Sequence, residues 1–495
     1  MKTLSISALL ASLALCATLA TAQDITPTRV GPVSQYGQLM TGKNSQGQGR
    51  IYGSCEGVKD GAEVQVRGMS LYWSLMPQAL EFWSEEGIST MVNDMKIQIV
   101  RAAMATGNED WKGEWNGIQL KGYAIDSEHQ KQFVKTVVEA AIKNDIYVII
   151  DWHSHEAHKQ TDAAKNFFKE MAETYGKYDN VIFEVYNEPQ QIPWSDVKNY
   201  ANQVIEVIRQ YSDNLVLVGN PSWDQNPSDA IGNEVNDPKK NTAYTLHYYA
   251  NSHNWAGNYS WGGESEGVKG EKAIKAGLSV FISEWGTADA SGAGNPDQGR
   301  NQSWQEYVNK YQLSWANWSA SKISEGTAAF EGSSTKTSLQ YTTSGNLVKG
   351  YLSTNPASYT KCAVNNNNQS QGDGNNNQNQ NENNNNGENN NQNGGNNNQN
   401  GNNNQGNNNG NNNQGGNEVP IFAKASVNFN VSFSDNALHI AGAPMTVEVY
   451  SMMGNKIMAI DNVSGSLSLA KFPAGKYFAR IHDKTTNMVR AFQIK

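Results

Sequence analysis

The chain has 495 residues, 38% of them hydrophobic and 17% charged, with a formal net charge of -9 and a pI of about 5.5. It is longer than one ordinary domain, and its acidic balance argues against a phosphate-binding surface, so nucleic acid is not an expected partner. Beyond the N-terminal stretch, no run approaches the ~18–20 consecutive apolar residues of a membrane-spanning helix.

At the N-terminus, Lys2, an apolar run over 9–19 and the tripeptide Ala20-Thr21-Ala22 have the layout of a secretory signal peptide. Residues 1–22 are expected to be removed, and the mature chain to start near Gln23 as an exported, soluble protein. A lipid-modified Cys16 is disfavoured because Leu15, not a small residue, precedes it. The remaining cysteines, Cys55 and Cys362, lie near the two ends of residues 23–364. In an oxidising compartment they could form a bridge or stay as two buried thiols, and spacing leaves both open.

Residues 41–63 are Gly-rich and polar, with a short strand pattern at 50–55, and read as a lead-in hairpin. Eight short apolar, β-rich runs follow, at 64–69, 97–102, 146–151, 181–186, 215–218, 244–248, 280–283 and 313–318. Helical periodicity lies between several of them, at 127–144, 163–175 and 194–211. Strands alternating with helices imply a parallel sheet, and eight in this length suit an α/β fold of the (β/α)8 TIM-barrel type better than an open doubly wound sheet. Neither a Gly-x-Gly-x-x-Gly after the first strand nor a Walker sequence is present, which disfavours nucleotide binding.

Residues 365–418 are almost wholly Asn, Gln and Gly. With so little apolar surface to bury, the stretch is expected to be a disordered linker. Residues 419–495 show strand alternation at 445–450 and 476–481, with turn signals at Met453-Gly454-Asn455 and Pro473-Ala474-Gly475, and read as a small all-β sandwich. The segment carries eight Lys or Arg against four acids, a local basic balance on an acidic chain.

Two of the apolar runs end in a carboxylate. Val181-Ile-Phe-Glu-Val-Tyr-Asn-Glu-Pro189 closes on Asn187 and Glu188, and Val280-Phe-Ile-Ser-Glu-Trp-Gly286 on Glu284. Strand ends build the catalytic face of a parallel barrel. Hydrolysis of a glycosidic bond needs one carboxylic acid to protonate the leaving oxygen and a second carboxylate across the sugar ring. All thirteen Trp lie between Trp73 and Trp318. Trp83, Trp304 and Trp315 read as core, whereas Trp73, Trp152, Trp285 and Trp318 stand at strand ends, where flat rings can pack on pyranose faces. His153-Ser-His155-Glu-Ala-His158 could supply metal ligands, but this spacing alone carries little weight and no functional metal is expected. Two glycosylation-type sequons, at Asn258 and Asn301, carry similarly little.

In order along the chain, Val148-Ile-Ile-Asp-Trp-His153, Asn187-Glu188-Pro189, Leu246-His-Tyr-Tyr249, Ile282-Ser-Glu-Trp-Gly286 and Trp315-Ala-Asn-Trp-Ser319 resemble the signature stretches of glycoside hydrolase family 5, in its bacterial endoglucanase (cellulase) branch. Arg67-Gly-Met-Ser70 and Val100-Arg-Ala-Ala-Met104 extend the likeness, which covers residues 64–330. It implies a (β/α)8 barrel, no cofactor, and retaining hydrolysis of internal β-1,4-glucosidic bonds in a cellulose-like glucan by a monomer. Glu188 would be the acid/base and Glu284 the nucleophile, with Arg101 keeping Glu284 ionised. Asn187 would hold the sugar 2-hydroxyl, His153 and His247 would line the cleft, and Tyr249 would hydrogen-bond near the nucleophile. Trp318 would form the stacking floor, with Trp73 and Glu325 at outer subsites. Two positions depart from the branch pattern: Ala105 stands where Tyr is common, and the usual Lys is displaced by one, to Lys322. A mannanase or xyloglucanase on the same scaffold, or a non-catalytic polysaccharide-binding protein, are the alternatives; the latter has no need of two strand-end glutamates.

The C-terminal segment, from Val447-Glu-Val-Tyr-Ser-Met-Met-Gly454 through Phe472-Pro-Ala-Gly-Lys-Tyr-Phe-Ala-Arg-Ile481 to Val489-Arg-Ala-Phe492, resembles the sorting domains of type IX secretion. That implies recognition by outer-membrane secretion machinery, then release or attachment at the cell surface. A carbohydrate-binding module is the rival, weakened because the segment has no Trp from which to build a stacking platform.

Overall fold

The computed structural model describes residues 24–55, 63–362 and 430–494, the last without 435, 452–455, 473–474 and 483–486. The signal-peptide and linker expectations lie outside these residues, as do the two C-terminal turn signals in large part. The chain divides into two compact units, Met1–Val364 and Asn365–Lys495.

The first unit begins with an antiparallel hairpin, β1 (Leu39–Lys43) and β2 (Gly49–Gly53). The barrel then opens with β3 (Arg67–Leu71) and β4 (Ile99–Ala105), followed by a small antiparallel hairpin, β5 (Asp110–Trp115) and β6 (Ile118–Lys121), which the sequence reading did not anticipate. It continues with β7 (Tyr147–His153), β8 (Val181–Glu184), β9 (Val216–Val218) and β10 (Thr242–Thr245). A two-residue strand, β11 (Tyr248–Tyr249), precedes β12 (Val280–Gly286) and β13 (Trp315–Ala320). Eight of these pair in parallel in the cycle β3-β4-β7-β8-β9-β10-β12-β13, and β13 returns to β3, so the sheet closes. The eight anticipated runs are these eight strands, displaced by up to three residues at their ends.

The helices follow their sequence signals. Ser127–Lys143 is capped by the Asp126 side chain, which accepts from the His129 N–H, and buries Val134, Val137, Val138, Ala141 and Ile142 on one face. Thr161–Tyr175 and Trp194–Ile208 bury their faces in the same way. After β9 the crossover has no long helix; short turns at Pro221–Asp224 and Pro227–Ala230 take its place.

Alternation along each strand sorts side chains into two compartments. Outward residues such as Val148, Ile150, Phe183 and Ile282 pack in the large core cluster that includes helix residues. Ile99, Ile149, Ile182, Leu217, Ala243 and Phe281 form an apolar interior layer, joined by Leu39 and Ile51 of the hairpin. Two residues further along the same strands, Arg101, Asp151, Glu184 and Ser283 form the layer above, all fully buried. The barrel is thus apolar at its N-terminal end and ionic toward the C-terminal ends of its strands.

Cys55 and Cys362 form a disulfide with a Cα–Cα distance of 5.9 Å across 307 residues of chain. The Cys362 N–H also donates to the Ser34 carbonyl at 2.8 Å, so both ends of the unit are tied at one place.

The second unit is a five-stranded antiparallel sheet of β14 (Asn430–Ser434), β15 (Ala437–Ser451), β16 (Lys456–Ser468), β17 (Gly475–His482) and β18 (Asn487–Ile494). The first part of β15 pairs with β14 and the last part with β17, while β16 runs beside both. The sheet folds over on itself: Phe433 of β14 and Phe492 of β18, from opposite ends of the strand order, have ring centroids 4.6 Å apart. Leu438, Ile440, Val447, Val449, Ala479 and Ile481 fill the enclosed core.

Replacing Cys55 and Cys362 together by Ser is expected to lower the unfolding free energy of the first unit by about 2–5 kcal/mol. Denaturant titration of the intact chain with and without reductant checks this; identical midpoints would show that the bridge contributes nothing.

Candidate active site

The ionic layer is organised around one guanidinium. Arg101, at the middle of β4, is fully buried. Its Nε donates to Glu184 Oε2 at 2.7 Å, Nη1 to Glu284 Oε2 at 2.8 Å and Nη2 to Asn187 Oδ1 at 2.7 Å. Nη2 also lies 2.9 Å from Asp151 Oδ2, and Nη1 reaches Ser70 Oγ at 3.3 Å. Three carboxylates share a single positive charge, so they cannot all be equally ionised. Burial outweighs the pull of Arg101 at Asp151, which is pushed up to about 7, and Glu184 is raised in the same way. Glu284 goes the other way: burial again raises it, but Arg101, then His247 and His153, and a hydrogen bond from Tyr249 bring it below its ordinary value. Both of its oxygens are occupied, since the Tyr249 hydroxyl donates to Oε1 at 2.7 Å.

Glu188 occupies a contrasting environment. Its backbone sits in the left-handed region, φ 50°, an uncommon conformation for a side-chain-bearing residue. Neighbours hold it there: the Glu188 N–H donates to Asp224 Oδ2 at 3.0 Å, and its carbonyl lies 3.0 Å from His155 Nδ1. Asp224 ends a turn in which Ser222, Trp223 and Asp224 all have positive φ. The N–H groups of Ser222 and Trp223 donate to the carbonyls of Gln190 and Pro189, so this turn clamps the loop that carries Glu188. Burial and the charge of Glu284 raise the Glu188 carboxyl well above the usual range.

His247 lies beneath Glu188, with Nδ1 3.1 Å from Glu188 Oε1 and Nε2 2.9 Å from Ser283 Oγ. The Ser283 hydroxyl donates its one proton to Glu184 Oε1 at 2.7 Å, so it accepts from His247 Nε2–H. In the neutral imidazole, Nδ1 is then an acceptor facing Glu188, complementary to a protonated carboxyl. At least one oxygen of Glu188 and one of Glu284 lie within 4.8 Å of each other.

An aromatic wall stands beside the pair. The His153 and Trp318 rings stack at 5.5 Å with planes 3° apart, Tyr72 packs on Trp318 at 4.7 Å, and Trp73 lies 6.1 Å from His153. His153 Nδ1 is 2.8 Å from Asp151 Oδ2, and burial followed by the Arg101 charge drives its pKa well down. Glu325 accepts from the Tyr72 hydroxyl at 2.9 Å, at the edge of the same wall.

The site residues named from sequence therefore come together: Glu188, Glu284, Arg101, Asn187, His247 and Tyr249 at the centre, His153, Trp318, Trp73 and Glu325 along the wall. Several details differ from expectation. His247 is buried under Glu188 and is not an open lining residue. Trp152 and Trp285 were expected to face sugar, yet both are fully buried on the helix side of the sheet, against Phe167 and Trp315 respectively, because their neighbours Asp151, His153 and Glu284 take the inward positions. His153, His155 and His158 turn to Asp151, Glu188 and Tyr186 and form no common ligand set. Trp83, Trp304 and Trp315 are buried core. Ala105 is buried at the end of β4 and brings no ring to the cleft. Lys322 is drawn away to Glu81 Oε2 at 2.5 Å, while Ile323 packs beside Trp318.

Asp151, Glu184, Asp224 and Ser283 were missed as site residues. Glu184 had a legible signal, since it is a lone charge in an otherwise apolar strand and must be paired if buried. Asp224 had none, as its role depends on the turn that brings it under Glu188.

Comparison with known proteins gives two family matches. Residues 58–324 match the family model for cellulase (glycosyl hydrolase family 5), and residues 425–495 match that for a secretion system C-terminal sorting domain, a signal for export. The chain is 39% identical over 293 residues to endoglucanase Z of Dickeya dadantii, covering 58% of this chain and 62% of that protein. It is 35% identical over 316 residues to an endoglucanase of Clostridium saccharobutylicum, covering 61% of this chain and 64% of that one, so it spans less than two thirds of either relative. Among solved structures, one from Cytophaga hutchinsonii aligns with TM-score 0.55 and 34% identity, over 65% of this chain and 96% of that one. The alkaline cellulase K catalytic domain aligns with TM-score 0.57 and 28% identity, over 67% of this chain and 97% of that one.

Replacing Arg101 by Met is expected to cost about 3–5 kcal/mol of stability at neutral pH by leaving the buried carboxylates without a cation. Without the guanidinium their folded pKa values lie above the unfolded ~4, so the folded state binds more protons and stability returns as pH falls toward that value. Unfolding titrations at two pH values check it; an equal loss at both would refute the charge account.

Proposed function

The chain belongs to the cellulase family of glycosyl hydrolases, family 5, and we propose that it is a secreted endo-β-1,4-glucanase acting by retaining double displacement. The observation that carries this reading is the Glu188/Glu284 pair, close together in surroundings that push their pKa values in opposite directions, Glu188 up by burial and the Glu284 charge and Glu284, against its burial, down chiefly by Arg101. An oxygen–oxygen approach within 4.8 Å supports the ~5–5.5 Å carboxyl separation of retaining enzymes over the ~6.5–9.5 Å of inverting ones.

In the first step the Glu188 carboxyl gives its proton to the glycosidic oxygen, and the bond between that oxygen and the anomeric carbon breaks with its electron pair leaving on the oxygen. Glu284 Oε attacks the same carbon from the opposite face and forms the glycosyl ester. The ester removes the negative charge of Glu284. That charge had raised Glu188, so the newly ionised Glu188 is stabilised and takes a proton from the water that attacks the anomeric carbon, while the bond from that carbon to Glu284 breaks and returns its electron pair to the carboxylate. Arg101 and Tyr249 hold Glu284 ionised and aimed before the attack. Arg101 also occupies the amide oxygen of Asn187, turning its NH2 to the sugar 2-hydroxyl. The His153–Trp318 wall supports the apolar face of the ring.

The glucan preference rests on the family and on its endoglucanase relatives. The sorting domain supports the finer reading that an outer-membrane machine exports the chain.

Glu284→Gln is expected to reduce hydrolysis of carboxymethyl cellulose by several orders of magnitude with an unchanged unfolding midpoint, while the wild type releases the β-anomer first, read by NMR. Full activity in the variant, or initial release of the α-anomer, would refute the mechanism. Deleting residues 419–495 is expected to leave turnover of soluble substrate intact and to abolish export in a host carrying the matching secretion system; unchanged export would refute the sorting role.

A further inference from the structure

Trp261 is the most exposed large hydrophobic residue among the described ones, at 76% against 48% for Ile125, the next. It stands on the loop between β11 and the helix Glu266–Lys275, which leaves the barrel at the catalytic end of its strands. The loop is continuous with the site: Tyr249, whose hydroxyl binds Glu284, accepts at its carbonyl from the N–H groups of Ser252 and His253, both at 2.9 Å. Arg300 braces the loop from below, donating to the carbonyls of Ala250 and His253 at 2.6 Å each, with its guanidinium 5.5 Å from the Trp255 ring.

The tip is equally constrained. The Tyr259 N–H donates to the Gly263 carbonyl at 2.7 Å and the Gly262 N–H to the Tyr259 carbonyl at 2.8 Å, a turn that Gly262 permits with φ 94°. The Trp261 indole lies against the Gly263 backbone, where a β-carbon would fall 1.8 Å from its ring. Tyr259 and Trp261 stack with centroids 5.3 Å apart and planes 6° from parallel. The Tyr259 hydroxyl donates to buried Glu266 at 2.5 Å, which fixes the pair to the helix. Residues 251–263 contain no Asp, Glu, Lys or Arg, although 17% of the chain is charged.

A large, flat, solvent-facing ring on a braced turn, within a stretch of neutral Asn, Ser and Gly that ends at Glu264, whose charge is paired with Lys272, is matched to an uncharged polymer with apolar C–H faces and hydroxyl edges. Because the ring pair is ordered beforehand, contact costs little conformational entropy. We propose that Trp261, supported by Tyr259, is an accessory platform for a β-glucan chain outside the cleft centre, gripping polymer that extends beyond the sugars held at Glu188 and Glu284. The ligand class rests on the glucanase reading above.

The test compares Trp261→Ala with wild type, using the full chain. On a soluble mixed-linkage β-glucan the variant is expected to show a KM raised roughly three- to ten-fold, the scale of one aromatic packing contact, with kcat/KM on a short aryl cello-oligosaccharide unchanged. In native gels containing the same glucan, both proteins carry Glu284→Gln to spare the polymer, and the Trp261 variant is expected to lose most of its retardation. Equal polymer KM and equal retardation would overturn the platform. Equal losses on long and short substrates would also overturn it, placing the effect at Tyr249 and the catalytic pair. If the wild type cleaves neither substrate, the glucanase reading fails, and gel retardation still decides whether Trp261 binds glucan.

Discussion

The structure depends on the placement of Arg101 among three carboxylates inside a closed barrel. Burying an arginine and several acids is costly, and such a cluster is a poor source of net stability. It persists because each acid is held on a different strand and each contact has a different consequence. Glu284 is favoured in its charged form, Asn187 is turned beside Glu188, and Glu184 accepts the Ser283 hydrogen bond that leaves the hydrogen on His247 Nε2 and Nδ1 as the acceptor facing Glu188. The cation thus favours the charged form of Glu284, and burial together with that charge favours the protonated form of Glu188, on two carboxylates whose oxygens approach within 4.8 Å.

The barrel makes this possible through the two-residue period of its strands. Ile99 and Arg101, Ile149 and Asp151, Ile182 and Glu184, Phe281 and Ser283 are successive inward positions, apolar below and ionic above. The same period sends Trp152 outward to the helices, whereas Trp285, in step with Phe281 and Ser283, is turned outward by the register shift between Ile282 and Trp285, so an aromatic residue at a strand end is no guide to sugar contact until its side of the sheet is known. The rings at the cleft, Trp73 and Trp318, lie at or beyond the ends of the pairing, where alternation no longer dictates direction; the register between β13 and β3 shifts after Trp318.

Around that centre the rim is built from separate loops. Ala105 withholds a ring, Lys322 is committed to Glu81, and the neutral loop after β11 raises Trp261 into solvent. Contacts to the reacting sugar and contacts to more distant sugars are therefore separable: the first follow from the barrel interior, the second from βα loops that can vary without disturbing it. The export signal is separable again, since it lies in a different compact unit from every residue of the site.

The eight strands, the helices at 127–143, 161–175 and 194–208, and the two strand-end glutamates were legible in the sequence because periodicity and strand-terminal carboxylates are local patterns, set by neighbours within a few residues. The ordered motifs carried the family in the same way. What the chain order could not contain was direction and coincidence. Whether Trp152 faced sugar or helix, whether Cys55 met Cys362 across 307 residues, and whether Asp224 supported Glu188 were decided by barrel closure and by a left-handed turn. Protonation was decided there too, because desolvation and the distance to Arg101 exist only once four separate strands have brought their charges into one enclosed layer.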